Sequence, residues 1–497
     1  MMHGQKKSDS LVVAAKSANK PTQVGAESME RRGEAKGNMV EQRTRRTQSR
    51  ESVSQRLDHV RQRAKTKKKE RFTALLHHVD IEMLTQAFYR LKRSAAVGVD
   101  GMPWVVYEQD LGANLVDLHQ RIQSNTYRAK PSRRVYIPKP DGRKRPLGVA
   151  SLEDKIVQGA LVEVLNAIYE QDFVGISYGF RPGRGQHDAL DALAVGIKRT
   201  KVNWILDADI SRFFDTVSWK HLIRFLEHRI GDVRVIRLIT KWLKAGFMED
   251  GVVTVTTEGT PQGAVISPLL ANIYLHYVFD LWAQQWRKRC ARGNVMLIRY
   301  ADDLVCGFEK ADDAERFQEV LRERMGQFSL TLHPEKTRLL EFGRFAAVNR
   351  KKRGLPKPET FNFLGFTHIC GRDRKGGFQL NRKSRRDRMR AKLLEVKADL
   401  KRLLHYSIPD QGKWLRQVVS GYFAYHAVPT NSRSLGAFRH HVVDLWRRTL
   451  QRRSQKDRTT WKRIAKIADA WLPKPHVLHP WPEVRFAANH PRWEPGA

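Results

Sequence analysis

The sequence predicts an α+β body followed by a basic, purely helical region, and three observations lead there. Between Val79 and about Ile369, apolar stretches of helical period alternate with short β-type runs such as Arg134–Pro138, Trp204–Ile210 and Val295–Tyr300. After Gly377, apolar residues recur at three- and four-residue steps, in Met389, Leu393, Val396, Leu400, Leu403 and Leu404 and again in Leu435, Phe438, Val442, Trp446 and Leu450. That period predicts two amphipathic helices with basic outer faces. The charge is uneven as well: residues 371–470 carry 26 Lys plus Arg against 8 Asp plus Glu, a net +18 of the chain's +39.

A chain of 497 residues exceeds one ordinary hydrophobic core, so several domains are expected. Residues 1–70 are rich in Lys, Arg, Gln, Ser and Glu and poor in aromatics, which predicts a disordered basic arm. Its last stretch, with Lys67, Lys68 and Lys69, suits contact with phosphates and equally suits a solvated charge run. Residues 71–370 form the expected catalytic body, 371–470 the helical region, and the Pro/Trp-rich 471–497 an extended tail packed on the surface. A Pro- and Lys-rich loop is expected at Lys351–Pro358.

Lys plus Arg total 91 against 52 for Asp plus Glu, so the expected partner is a polyanion. No window approaches the roughly 18 apolar residues that span a bilayer, and Leu11–Ala15 is too short for a signal-peptide core. Nucleic acid is the polyanion that remains, with no membrane partner, and a cytoplasmic location is expected. Cys290, Cys306 and Cys370 are odd in number and far apart, as ordinary thiols are; they make neither a disulfide framework nor a zinc module.

The chemistry is concentrated in carboxylates. In Asn203–Asp215, NWILDADISRFFD, the residues Trp204, Leu206, Ala208 and Ile210 share one strand face, while Ile205, Asp207 and Asp209 share the other. In Val295–Phe308, VMLIRYADDLVCGF, two apolar runs flank Ala301, Asp302 and Asp303, which predicts a hairpin with acids at its tip. An Asp pair in a turn is common for local reasons. Acids between buried strands need a compensating cation, however, and two magnesium ions, with manganese as a substitute, meet that need in nucleotidyl transfer. Asp209 and Asp302 are the expected ligands, Ile210 adds a backbone carbonyl, and Asp303 supports the site as a catalytic neighbour.

YADD at Tyr300–Asp303, about ninety residues after DADISRFFD, resembles the palm of reverse transcriptases, and further segments follow in the order of the bacterial group II intron-encoded members. The resemblance implies a right-hand polymerase: fingers and palm, then an α-helical thumb that doubles as a maturase domain. Tyr136–Val149, YIPKPDGRKRPLGV, resembles the fingers hairpin, in which Lys139 and Arg145 would clamp the incoming triphosphate. A surface hairpin with protective edge charges would read similarly.

Ser177–Arg184, SYGFRPGR, resembles the next block and has a composition suited to template support. In Thr260–Pro268, TPQGAVISP, Ser267 is expected to cap a helix reaching about Arg287, with Gln262 in the loop beside the nucleotide. By resemblance, Phe214 blocks a ribose 2′-hydroxyl, Phe213 being open to a core role, and Lys336 of HPEKT serves the nucleotide side. Phe361–Phe366 resembles the strand that steadies the primer end.

Residues 414–461, including GYFAYHAVPTN and RRTLQRRSQKDR, resemble the maturase-specific domain. There Arg447, Arg448, Arg452 and Arg453 are the expected RNA contacts, while most of the aromatics read as core. Nothing after Trp471 resembles the endonuclease that many relatives append, so none is expected.

The implied function is an RNA-directed DNA polymerase that copies intron RNA from a DNA primer with deoxynucleoside triphosphates and supports splicing and mobility of its own group II intron. The alternatives are a non-catalytic RNA-binding maturase and a domesticated enzyme of phage defence or a CRISPR system. The charge carries its own test. Affinity for intron RNA is expected to fall on the order of a thousandfold between roughly 50 and 200 mM salt in a filter-binding titration; a flat response would remove the basic helical region from the RNA-binding reading.

Overall fold

The computed structural model describes residues 55–138, 144–453 and 459–489. Its strands are β1 (Ser132–Pro138), β2 (Lys144–Val149), β3 (Trp204–Asp209), β4 (Phe247–Glu249), β5 (Val252–Thr254) and β6 (Val295–Tyr300). They continue with β7 (Asp303–Phe308), β8 (Arg338–Glu341), β9 (Phe361–Phe363), β10 (Phe366–Arg372) and β11 (Phe378–Ser384). Three sheets result, ordered β2-β1-β4-β5, β6-β7-β3-β8 and β11-β10-β9.

The β6-β7-β3-β8 sheet is central because its strands are apolar on both faces. Leu206, Ala208 and Ile210 sit in one core with Leu304, Cys306 and the helices Leu152–Asp172, Ser267–Leu275 and Ala311–Gln327. Ile205, Met296, Ile298 and Val305 sit in a second core with the helix Gln186–Arg199 and the aromatic residues of β9 and β10. The period-2 alternation expected for Trp204–Ile210 is therefore what divides the two cores. Several helices begin where a side chain accepts an otherwise unpaired N–H: Asp80 from Met83, Ser151 from Asp154, Ser407 from Asp410 and Thr460 from Arg463.

The structure departs from expectation at several places. Residues 55–66, assigned to the disordered arm, form a helix whose Leu57, Val60 and Ala64 lie in the first core. Arg229 locks its end by donating to the carbonyls of Ala64, Lys67 and Glu70 at 3.2, 2.9 and 2.8 Å. Three apolar residues at helical spacing suffice for docking even among many charges. Part of the expected Lys351–Pro358 loop is likewise the end of a helix, Ala346–Lys352.

The expected boundary at residue 370 cuts through β10, whose partner β11 runs on to Ser384. The helical region then contains four helices in the described residues, Arg386–Arg402, Ile408–His426, Ser432–Gln451 and Trp461–Trp471, where two were expected. Trp446 is fully buried at its centre and donates its indole N–H to Gln411 at 2.8 Å. Buried polar residues of this kind dilute the apolar period that a sequence reading relies on.

The tail also differs, because Pro482–Asn489 is a helix packed on Gln186–Arg199. It is fastened by Lys198 to Glu483 at 2.6 Å and by Arg485 to Asp191. Asp191 also receives Arg382 of β11 at 3.1 Å, so one buried carboxylate serves two guanidinium groups from distant segments. Farther back, the N–H groups of Leu478 and His479 both donate to Ala427 O, at 2.9 and 3.1 Å, which straps the helical region to the same place. Removing the shared carboxylate leaves buried positive charge uncompensated. Asp191→Ala is expected to cost about 3–5 kcal/mol in a urea denaturation, and Arg485→Ala, which leaves the Arg382 pair intact, clearly less.

Candidate functional site

The site begins at the hairpin of β6 and β7. Tyr300 faces Asp303 across the ladder, so Ala301 and Asp302 form a two-residue turn, with Ala301 at φ +56°. A positive φ at the first turn residue matches the twist of antiparallel strands, although alanine adopts it at a cost of about 1–2 kcal/mol. On the other side of β7, Asp209 is the register partner of Asp303. Acids ninety residues apart are thus brought to one end of one sheet.

Asp209 closes β3, where its carbonyl accepts His333 N at 2.7 Å. The next residue, Ile210, bridges to Leu332, and that bridge uses the flanking Asp209 and Ser211 groups; the Ile210 carbonyl takes no part in it. The Lys336 ammonium reaches Asp209 Oδ2 at 2.6 Å from the loop after Leu332. Lys336 is therefore a direct partner of one expected metal ligand.

Negative charge accumulates here beyond what these cations offset. Removal from water raises the Asp302 carboxyl above the usual carboxylate range, and Asp209 raises it further, against the pull of Arg145 and Lys336. Asp303 is exposed at the sheet end, yet the protein around it, then the charges of Asp302, Asp209 and Asp207, pushes it up to about 8. Asp207 is pushed up to about 6 by burial and by Asp209, with Arg338 at 3.9 Å opposing. Hard oxygen donors that repel one another in this way fit a hard divalent cation. Among the described residues no three acidic, His or Cys side chains form a complete cage. Magnesium seldom needs one, since water and substrate phosphates complete its shell.

The Thr260–Pro268 loop meets the β1–β2 hairpin from the side. Gly148 N donates to Gln262 O at 2.6 Å, Arg145 Nε donates to Gln262 Oε1 at 3.0 Å, and Gln262 Nε2 reaches Asp215 Oδ1 at 3.5 Å. Gly263 has φ +104°, and a Cβ there would lie 2.6 Å from Gly148 O, so only glycine permits this approach. Ser267 is the first helical residue and not the cap expected; its hydroxyl donates to Pro261 O at 2.9 Å and so ties down the loop. Phe213 is core, whereas Phe214 is only partly buried beside Asp215 and accepts Thr260 N on its carbonyl at 2.7 Å. Lys139 lies outside the described residues.

Lys336 therefore reaches Asp209, Arg145 acts on Asp302 while paired with Gln262, and Phe214 lies beside Asp215, which Gln262 also meets; the arginines of the helical region make no such contacts. Arg447 is held by Asp444 at 3.1 Å and lies 4.7 Å from the centre of the Trp461 ring, while Arg453 donates to Tyr406 O. Arg448 pairs with Asp444 at 2.7 Å yet stays largely exposed, and Arg452 is exposed. Arg181 of SYGFRPGR, which suggested template support, is buried with Glu170 at 2.9 Å and the carbonyls of Val174 and Ser177. It is committed to the fold.

Sequence reasoning missed the residues beneath the turn: Arg299, Asp280, Asn272 and Gly179. A basic residue inside the apolar run VMLIRY was the available signal, because a buried arginine requires a buried partner.

The family described as reverse transcriptase (RNA-dependent DNA polymerase) matches residues 137–368. Protein YkfC of Escherichia coli is 36% identical, over 49% of this chain and 71% of that protein. The group II intron-encoded protein LtrA of Lactococcus lactis is 42% identical, over 32% of this chain and 26% of its own length. The putative COX1/OXI3 intron 2 protein of Saccharomyces cerevisiae is 34% identical, over 44% of this chain and 25% of its own. The chain thus spans about a quarter of the two intron proteins.

The close approach of loop and hairpin is directly testable. Gly263→Ala is expected to push the loop off β2 and free the Gly148 N–H, raising its hydrogen-exchange rate at least about tenfold, a loss of about 1.4 kcal/mol in protection. Unchanged protection would mean that the contact is incidental.

Proposed function

The chain belongs to the reverse transcriptase family, and on that premise we propose that it is an RNA-directed DNA polymerase of the group II intron-encoded kind that also binds intron RNA as a splicing maturase. The observation that carries the reading is the convergence of Asp209 and Asp302 at one end of the central sheet, with Lys336 on Asp209 and Arg145, paired with Gln262, acting on Asp302. Residues 71 to about 384 act as fingers and palm and the helices from Arg386 onward as the thumb, with the two buried cores on either side of β3 keeping the palm rigid.

Asp209 and Asp302 would hold two magnesium ions, with the Ile210 carbonyl as a further oxygen donor. When bound, such a pair lowers the pKa of a primer 3′-hydroxyl and stabilises the departing pyrophosphate. Asp303, whose carboxyl would give up its proton more readily once cations are bound beside it, supports the site without being needed as a bridging ligand. Arg145 and Lys139 hold the triphosphate, Arg145 through a fork already oriented by Gln262. Lys336, beside Asp209, serves the nucleotide side of the site.

Phe214 presents its ring where a ribose 2′-hydroxyl would fall and so favours deoxynucleotides by exclusion. The template is RNA, the primer a DNA end, and the thumb grips the duplex between them. Its exposed cations, Arg448 and Arg452 among them, bind intron RNA; Arg447 and Arg453, tied to Asp444 and Tyr406, shape that surface more than they touch RNA.

The non-catalytic maturase reading is disfavoured by the same convergence, since a site kept only for RNA binding has no use for acids crowded at a cleft. Asp302→Ala is expected to lower magnesium-dependent primer extension on an RNA template by at least about 10³-fold while changing intron RNA affinity less than about twofold. Equal loss of both would make Asp302 a structural residue, and a wild-type protein that binds RNA but extends no primer would leave the maturase alone.

A further inference from the structure

The side chain best placed to govern the catalytic turn touches no substrate. Arg299, the last residue but one of β6, is fully buried, and so is Asp280. Their contact is a two-pronged one, Nε to Oδ1 at 2.7 Å and the second guanidinium nitrogen to Oδ2 at 2.6 Å. The remaining nitrogen, Nη1, donates to Asn272 Oδ1 at 2.9 Å and to Ala301 O at 3.1 Å. One rigid planar group thereby links a helix to the carbonyl of the positive-φ residue that precedes Asp302.

The helix is adapted to this contact. Ser267–Leu275 and Leu281–Arg289 are α-helical, but His276–Asp280 between them is a π-turn. A π-turn advances the helical register by one extra residue, which turns the following side chains to a new direction. Asp280 closes it with its carboxylate on Arg299. Nearby His276 lies 3.9 Å from Asp280, and burial lowers its pKa to about 4, so it is neutral near pH 7 and Arg299 supplies the positive charge at that carboxylate.

The turn is also pressed from the opposite side. Asn272 Nδ2 donates to Gly179 O at 2.8 Å, and a Cβ on Gly179 would lie 2.4 Å from Ala301 N. Backbone hydrogen bonds complete the frame: Arg299 N to Ile176 O at 2.8 Å, and Tyr178 N to Arg299 O at 2.9 Å. The SYGF segment is thus the floor of the turn, and the helix that begins at the Gln262 loop supplies its brace.

From this arrangement we infer that Arg299 is a positioning residue for Asp302, holding the strained Ala301 turn so that the carboxylate meets Asp209 at cation-binding distance, with Asp280, Asn272 and Gly179 as its supports. The inference rests on the polymerase reading for its consequence in catalysis, and on geometry alone for its consequence in cation binding. A neutral packing residue at 299 would fill the space but leave the Ala301 carbonyl and Asp280 without a donor. A buried ion pair is weak as a source of stability and well suited to selecting one geometry.

Two substitutions test it from different sides. Arg299→Lys keeps a charge for Asp280 but loses the fork that reaches Asn272 and Ala301 together. Gly179→Ala leaves the buried pair intact and pushes the turn from outside. Manganese binding, followed by electron paramagnetic resonance on the purified protein, is read beside single-nucleotide extension kinetics and RNA affinity.

Both variants are expected to weaken manganese binding several-fold and to lower kcat at least about tenfold, with KM for the deoxynucleotide within about threefold and RNA affinity unchanged. Manganese affinity and kcat at wild-type levels, whatever the loss in melting temperature, would overturn the inference and leave Arg299 a stabilising residue. If Arg299→Lys does not fold, Gly179→Ala decides by the same readings. A wild-type protein that binds manganese but extends no primer would defeat the polymerase reading, while the manganese arm would still judge the role of Arg299.

Discussion

Carboxylates that repel one another are held together at the end of one sheet, and the rest of the molecule is organised around keeping them there. Asp209 and Asp303 are opposed in the ladder of β3 and β7, and Asp302 stands in the adjoining turn. Left to itself, such a turn would relax outward into water. It is prevented from doing so by burial of the sheet on both faces, because Leu206 and Ala208 on one side and Ile205 and Val305 on the other allow no shift of register without exposing a core. Under the proposed function, a divalent cation bound here would relieve that repulsion, so the fold's cost at this point would also be its affinity.

Glycines mark where segments approach too closely for any side chain. Gly263 lets the loop bearing Gln262 lie on β2, and Gly179 lets the SYGF backbone lie under Ala301. The first contact couples Arg145 to the Gln262 loop; the second couples the turn to the helix that follows that loop. A single helical element, running from Ser267 to Arg289 through its π-turn, therefore touches both halves of the proposed site. The C-terminal strap performs a related task at a distance, since Asp191 gathers Arg382 and Arg485 and so ties the last helix to the body.

Much of the site was legible in the residue order. Apolar runs around DADI and YADD announced strands with acids at their ends, and the resemblance of the surrounding blocks supplied the roles expected of Arg145, Phe214, Gln262 and Lys336. Less legible were residues whose meaning depends on burial. Arg447 read as a cation for nucleic acid and the SYGFRPGR segment as template support, yet Asp444 holds Arg447 and Glu170 holds Arg181. Arg299 gave little signal because its partner Asp280 is nineteen positions away on another element. The helix at 55–66 was hidden for the opposite reason, its three core residues being outnumbered by charges.

By itself the sequence determined the kinds of element and the chemistry they could bear: period 2 or 3.6 follows from which side chains must leave water, and a surplus of lysine and arginine calls for a polyanion whatever the fold. Only the tertiary structure decided which charges are spent inside the protein and which remain for a ligand. That division depends on distances between residues far apart in the chain, and a charge is available or committed according to whether an opposite one lies within a few ångströms in a place that water cannot reach.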